Sequence, residues 1–469
     1  MARQSAPAAA NQTLENEWWT PRLAGPVLLA AVIRFGMLAL ALVRTGTTAV
    51  GGTDTVSYLS PGRNLLLHGT FSADGVPAVM RTPGYPLFLA MTSLAGLTVA
   101  AVINVLLSLF CLVLVWRLAK AVSGDDRLAI CAAWLMAIEP LTIIFSILLL
   151  SETLFMAFFL FGAERLAWFF RVHRLRLLAV SGVSLAAAAL VRPAAYYLPV
   201  AMAFGLLIVL VRVPGLRWKA PAVLLISCLP WLAIWQIRNK VETGYGGFSS
   251  ARELNLYFTN AVGITARLEH RNYFDVHNEF GYSPFFGRSG QVYLAQEWVD
   301  HHPEQAGWTQ AQRIAFMGEE GSRVIRAHPR MYARTCIEPL VSMMLEPGAG
   351  YFARMLSLQD SELSNGVGTN QGMVHFGINL IKTHPAIAAS KAVFMVVLAA
   401  LYLLALKGIL RGSIGSPYLA LLVGTAFYFI GLCAVTAGPG YDPRFRIPLL
   451  PIVCIFAAAG LLRKKPTAA

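Results

Sequence analysis

Charge is what this chain lacks most. Only 13% of its 469 residues are Asp, Glu, Lys or Arg, against about 25% in an ordinary soluble domain. Hydrophobic residues make up 57% and the mean hydropathy is +0.59, which excludes a soluble globular protein and points to a polytopic membrane protein. Acidic residues are scarcer than basic ones, 24 against 38, leaving a net charge of +14. In so apolar a chain that excess reflects topology and contact with acidic lipid headgroups, and no nucleic-acid-binding signature accompanies it. Familiar catalytic motifs are missing too. No CxxC pair, HExxH or GxSxG occurs, and the glycine-rich "GTTAVGGT" (46–53) lacks the GK[ST] ending of a phosphate loop. Without a nucleotide-binding module, an activated substrate would arrive more naturally through the lipid phase. Cys111, Cys131, Cys228, Cys433 and Cys454 sit inside apolar runs as small hydrophobes do, Cys336 lies outside them, and no disulfide framework is expected. His301–His302 reads as a loop pair, not a ligand set, and no solenoid repeat is visible.

What is present is a series of long apolar runs. A helix needs about 20 apolar residues to cross the hydrocarbon core, and candidate spans fall near 23–43, 95–119, 127–144, 147–170, 177–192, 195–213, 219–237, 386–409, 417–436 and 446–462. The expected fold is an all-α polytopic bundle of about 10–12 transmembrane helices. Its domains divide as an N-terminal transmembrane catalytic module (1–237) with a first external loop (44–94), a soluble segment (238–385), and C-terminal transmembrane helices (386–469). The N-terminus reads as an uncleaved tail before a signal-anchor helix. Basic loops alternate along the spans: Arg117, Lys120 and Arg127; Arg165, Arg171, Arg174 and Arg176; Arg212, Arg217 and Lys219; Lys407 and Arg411; Arg463, Lys464 and Lys465. That alternation places both termini in the cytoplasm and the soluble segment on the other side. The soluble segment is nearly neutral, with helical spacing over 311–344 broken at Pro329.

The residues able to carry chemistry gather on that non-cytoplasmic side. Asp54 follows "VGGT"; it reads either as a helix N-cap or as a carboxylate facing a cavity at the membrane surface. Tyr58 lies one turn on. The following segment reads as a short interfacial helix split at Pro61–Gly62. In "MRTPGYP" (80–86), Pro83–Gly84 suits a type II turn that would fix Arg81 and Tyr85 at the membrane boundary. Arg81 could anchor to headgroups or grip a phosphate with its planar fork. Glu139 and Glu152 fall near the external ends of apolar segments. Glu152 in hydrocarbon would cost roughly 2.5–3.5 kcal/mol or more, so it must face a cavity or a basic partner such as Arg34 on another span. Arg34 itself reads as packed against polar groups inside the bundle. Arg192, Arg238 with Asn239, and Arg444 with Arg446 all lie where spans reach the same side. Two carboxylates with several arginines suit a reaction on a phosphorylated, membrane-bound substrate.

Taken in order, "RTPGYPLFLA", "SETLF", "RPAAYYLP", "RNKVETGYGGFSSARELNLYFTN", "AHPRMYAR" and "RFRIPLLP" resemble the membrane glycosyltransferases of GT-C type. The similarity is to the bacterial protein-mannosyltransferase-like family (family 39-like) that includes lipid A aminoarabinose transferases. The resemblance implies a GT-C-like bundle in the bacterial inner membrane, with in-plane periplasmic helices and a small, mainly helical periplasmic segment. It implies an active site facing the periplasm, a sugar donor carried on polyprenyl (undecaprenyl) phosphate, and inversion at the anomeric centre. The acceptor would be an envelope molecule: lipid A, another glycan, a lipid or a protein. Asp54 and Glu152 take the two acidic catalytic positions; Arg81, with Tyr85, Arg238 and Arg446, would hold the donor phosphate. Tyr58, Glu139, Arg192, Asn239 and Arg444 would line the site. No cofactor is assigned, and divalent-metal dependence stays open. Rival readings are a transporter or flippase for lipid-linked saccharides, which would predict inverted repeats, and a polysaccharide polymerase or ligase.

Overall fold

The computed structural model describes residues 15–462 apart from 53, 283–290, 292, 293, 295, 356–380, 383, 384, 413 and 437–441. The basic residues Arg463, Lys464 and Lys465, expected to end the series of basic loops, lie outside the described residues. The described residues are helical nearly throughout. Among the described residues the sheet is a single antiparallel hairpin, β1 (Ser72–Ala73) with β2 (Val76–Pro77), pairing Ser72 with Pro77. The helices that build the bundle are α1 (Ala24–Thr45), α2 (Thr55–His68), α3 (Gly84–Thr92), α4 (Leu97–Ser123), α5 (Asp126–Ala137), α6 (Pro140–Ile147), α7 (Glu152–Val172), α8 (Leu175–Val191), α9 (Leu198–Val209) and α10 (Lys219–Thr243). Segment 238–385 contributes α11 (Gln310–Ala327) and α12 (Pro329–Leu345), followed by α13 (Pro385–Leu410), α14 (Ser416–Thr436) and α15 (Leu450–Leu461). Helix α4 packs on α5 and α7, α8 lies between α7 and α10, and α15 packs on α13 and α5.

Seven helices among the described residues are long and apolar enough to cross a membrane, or eight if the bent pair α5–α6 counts as one span. The expected spans 177–192 and 195–213 correspond to α8 and α9, of 17 and 12 residues, shorter than a crossing needs. The chain breaks between them because Arg192 is extended (φ −139°, ψ 123°) and Pro193 opens a 3-10 turn.

Helices α5 and α6 meet at 61°. Pro140 has no N–H to offer the Met136 carbonyl, so the helix cannot run through it. Arg34 repairs the break: its guanidinium donates to Ala137 O at 2.9 Å and Thr142 Oγ1 at 3.2 Å, with Met136 O at 3.5 Å. This bears out the expectation that Arg34 packs against polar groups in the bundle. The far end of α6 is held in the same way. Asn104 on α4 donates to the carbonyls of Phe145, Ser146 and Leu148 at 3.2, 3.0 and 3.0 Å.

Two expectations for the first loop are corrected. Pro61–Gly62 does not split the segment, since α2 runs unbroken from Thr55 to His68 with Pro61 inside it. Gly62 serves packing instead: a Cβ there would strike the Pro86 carbonyl of α3. Pro83–Gly84 is not a type II turn either. Pro83 (φ −74°, ψ −21°) is the N-cap of α3, and Gly84 lets α3 approach the end of α8, where a Cβ would lie 2.9 Å from Leu190 O.

The segment expected to be soluble, 238–385, opens with the last six residues of α10, which runs to Thr243. Its helical part matches the sequence: α11 ends at Ala327 and α12 starts at Pro329, with Thr309 and Gln312 forming a capping box. Its core of Leu254, Tyr257, Phe258, Trp298, Ile314 and Met317 includes Val79 of the first loop. Ser250 N donates to Val79 O at 3.0 Å and Gln310 to Pro77 O at 3.2 Å. The first loop is therefore held between the helical bundle and the soluble segment.

Candidate functional site

The site starts from the way the chain enters α2. Asp54 occupies the N-cap position, yet its side chain makes no capping bond. Thr55 takes over the local bonding: its Oγ1 accepts from Gly52 N at 2.8 Å and donates to Leu149 O at 2.9 Å. Leu149 N in turn donates to Val50 O at 2.8 Å. These bonds tie the start of α2 to the break before α7, and so bring Asp54 near Glu152.

Freed from capping, the Asp54 carboxylate is gripped by two guanidinium groups. Arg81 Nη2 donates to Oδ1 and Arg444 Nη1 to Oδ2, each at 2.8 Å. Arg444 comes from a 3-10 turn, Pro443–Leu449, at the opposite end of the sequence. Arg81 also donates from Nε to Ser57 Oγ at 3.0 Å and from Nη1 to Tyr58 OH at 3.2 Å. Tyr58 OH meets Ser151 Oγ at 3.3 Å, and Arg192 Nη1 donates to the same Ser151 at 3.1 Å while pairing with Glu152. A continuous polar chain thus runs Arg444–Asp54–Arg81–Tyr58–Ser151–Arg192–Glu152. Tyr85 supports it from below, buried with its ring edge-on to Tyr58 at 4.8 Å.

Exposure separates the two carboxylates of this chain. The side chains of Asp54, Arg81 and Arg444 keep 25%, 18% and 21% of their surface open, and that of Arg192 keeps 18%, whereas that of Glu152 keeps 4%. A ligand can therefore reach the Asp54 end. Burial by itself would raise the Asp54 carboxyl, but the guanidinium groups of Arg81 and Arg444 outweigh it and hold the carboxyl well below the usual range.

The remaining expected residues serve backbone. Arg238 donates to Phe71 O at 2.6 Å and Ala78 O at 2.8 Å, clasping the hairpin of the first loop. Asn239 donates to Gly247 O at 2.9 Å. Arg446 is buried and donates to Met343 O at 2.6 Å and Glu346 O at 2.8 Å, satisfying the C-terminal end of α12. Glu139 caps α6, accepting from Thr142 N at 2.7 Å. The partner of Glu152 is Arg192, and Arg34 is engaged elsewhere.

Sequence reasoning missed Ser57, Ser151, Asp442 and Tyr351. Asp442 accepts from Arg444 N at 2.9 Å, pairs with Arg444 Nε at 3.3 Å and accepts from Tyr351 OH at 2.6 Å. Its signal was on view, two positions before Arg444 in "DPRFR". A lone Tyr351 within a soluble segment offered none. No group of three or more His, Cys, Asp or Glu among the described residues could hold a metal ion.

No family model and no curated protein matches the chain. Among solved structures it is similar to the archaeal oligosaccharyltransferase AglB from Archaeoglobus fulgidus in complex with an inhibitory peptide and a dolichol-phosphate, at 15% identity and a TM-score of 0.48, covering 94% of this chain and 50% of that one. The apo form of the Archaeoglobus fulgidus oligosaccharyltransferase gives 14% identity and a TM-score of 0.47 over 95% and 50%. ArnT from Cupriavidus metallidurans bound to undecaprenyl phosphate gives 13% identity and 0.35, covering 93% of this chain and 78% of that one. The chain spans about half the length of the archaeal chains it resembles. All three TM-scores lie below 0.5.

Proposed function

We propose that the protein is an integral-membrane glycosyltransferase that moves a sugar from a polyprenyl-phosphate donor to an envelope acceptor. The observation that supports this most is the Asp54 carboxylate held between Arg81 and Arg444 in an accessible cluster. Such a cluster offers the two things the reaction needs. Planar guanidinium groups match phosphoryl oxygens and stabilise the charge that develops on a departing phosphate. A carboxylate beside them can take the proton of an incoming hydroxyl. In this reading Arg81 and Arg444 hold the donor phosphate, Asp54 is the base, and a single displacement inverts the anomeric centre. Glu152 and Arg192 act through Ser151 and Tyr58 to position Arg81. Arg238 and Arg446 support the site through backbone. The site faces the periplasm of the inner membrane, on the side opposite the basic loops.

The test is turnover. Purified protein in proteoliposomes should release undecaprenyl phosphate from a mass-tagged undecaprenyl-phosphoryl sugar when an envelope extract supplies acceptor, and the tag should appear on an envelope lipid, glycan or protein. Movement of the intact donor across the bilayer with no release of the sugar would replace this reading with that of a flippase.

A further inference from the structure

The polar chain is electrically complete before any substrate arrives. With Asp442, which pairs with Arg444, the cations Arg81, Arg192 and Arg444 face the carboxylates Asp54, Glu152 and Asp442, each charge with an opposite neighbour. Among the described residues, a phosphate entering this cluster finds no cation without a carboxylate. It must take a guanidinium away from one.

The three carboxylates are not equally easy to displace. Glu152 is buried, its side chain only 4% exposed, and it pairs with Arg192. Asp442 is held by the neutral donors Arg444 N–H and Tyr351 O–H as well as by the Arg444 guanidinium, so it keeps partners if that guanidinium swings away. Asp54 is about as open as Asp442, 25% against 26%, but its two oxygens rest on the guanidinium groups of Arg81 and Arg444, with no capping bond to its own helix.

We infer that Asp54 is a displaceable counter-ion, and that the donor phosphate takes over Arg81 and Arg444 and thereby releases the carboxylate that accepts the acceptor's proton. The inference rests on the glycosyl-transfer reading and adds an order of events: donor first, base second. Charge stays level through the step. The acceptor oxygen bonds to the anomeric carbon, the bond from that carbon to the phosphate oxygen breaks, and its electron pair leaves with polyprenyl phosphate. The phosphodiester's single negative charge becomes that of a phosphomonoester, approaching two. Over the same step Asp54 takes the acceptor's proton and loses its charge. The guanidinium groups meet a constant total charge, carried increasingly by the leaving group.

A displaceable counter-ion competes with the ligand, so its removal must tighten phosphate binding even as it stops transfer. Full-length protein in detergent, titrated with undecaprenyl phosphate at fixed ionic strength, should show Asp54→Asn binding at least about fivefold more tightly than wild type, within the usual range of coupling between sites. Asp442→Asn removes the same charge nearby and should give a smaller gain. Thermal unfolding covers the case in which Asp54→Asn is destabilised: added undecaprenyl phosphate should raise its melting temperature more than that of wild type. Binding by wild type with equal or weaker binding by Asp54→Asn overturns the exchange alone, as does an equal gain in Asp442→Asn. Binding to neither protein overturns the glycosyl-transfer reading and the exchange with it.

Discussion

Arg444 and Arg446 sit two positions apart on one turn and face different tasks. Arg444 reaches the Asp54 carboxylate at 2.8 Å, whereas Arg446 is committed to the carbonyls of Met343 and Glu346. Lysine should separate them. Arg444→Lys keeps the charge but loses the fork, and the loss of one charge-assisted hydrogen bond worth about 1.5–3 kcal/mol should lower kcat/KM roughly 10- to 150-fold. Arg446→Lys should act mainly on stability, lowering the melting temperature. Steady-state kinetics beside thermal unfolding checks the split. Asp54 carries a second prediction. Its carboxyl is depressed in the folded protein, so its contribution to stability is fully present above the unfolded value of about 4 and lost only as pH falls below that, through the folded value. The difference in melting temperature between wild type and Asp54→Asn should therefore stay constant from pH 8 down to pH 5. A difference that shrinks within that window would show that the carboxyl is not held ionised by its arginines. At this scale the sequence displayed the right residue types: Asp54, Arg81, Tyr58, Arg192, Glu152 and Arg444 all join one chain. It could not show which arginines are used by backbone, because the carbonyls that occupy Arg238 lie on the hairpin of the first loop and those that occupy Arg446 at the end of α12, both remote in sequence.

At the scale of elements, the site depends on interruptions more than on helices. The break after α6 delivers Ser151 and Glu152, and Asn104 holds it through the carbonyls of Phe145, Ser146 and Leu148. Asn104→Leu fills similar space but takes away the donor of Ser146 O, while Phe145 O keeps Thr153 Oγ1 and Leu148 O keeps Leu150 N, each at 2.8 Å. It should destabilise the protein by about 1–3 kcal/mol if Ser146 O finds no water, read as a lowered melting temperature. The pairing of α2 with α3 is the other sensitive joint. Gly62→Ala would press a methyl group into the Pro86 carbonyl, and the strain should move α2, and Asp54 with it, away from Arg81. Periodicity and proline revealed where α11 gives way to α12, since that boundary is written locally in Pro329. The same reasoning misread Pro61–Gly62 and Pro83–Gly84, because there proline and glycine serve contacts between helices remote in sequence, which a local reading of turn residues does not register.

For the whole molecule, hydropathy showed the polytopic all-α architecture, while the short α8 and α9 and the bent α5–α6 pair reveal how a bundle departs from uniform crossings when its ends build a site. The basic-loop pattern predicts which side that site faces. In a cysteine-free background, His270→Cys should react with a membrane-impermeant thiol reagent from the periplasm, and labelling only from the cytoplasm would reverse the topology. The central claim, that sugar transfer occurs at the Asp54 cluster, is tested most directly by one comparison. Wild type and Asp54→Asn, matched for folding by thermal unfolding, are given a mass-tagged undecaprenyl-phosphoryl sugar and envelope extract, and released undecaprenyl phosphate is measured over time. The account predicts steady release by wild type and none above background by Asp54→Asn. Equal release by the two proteins would contradict it.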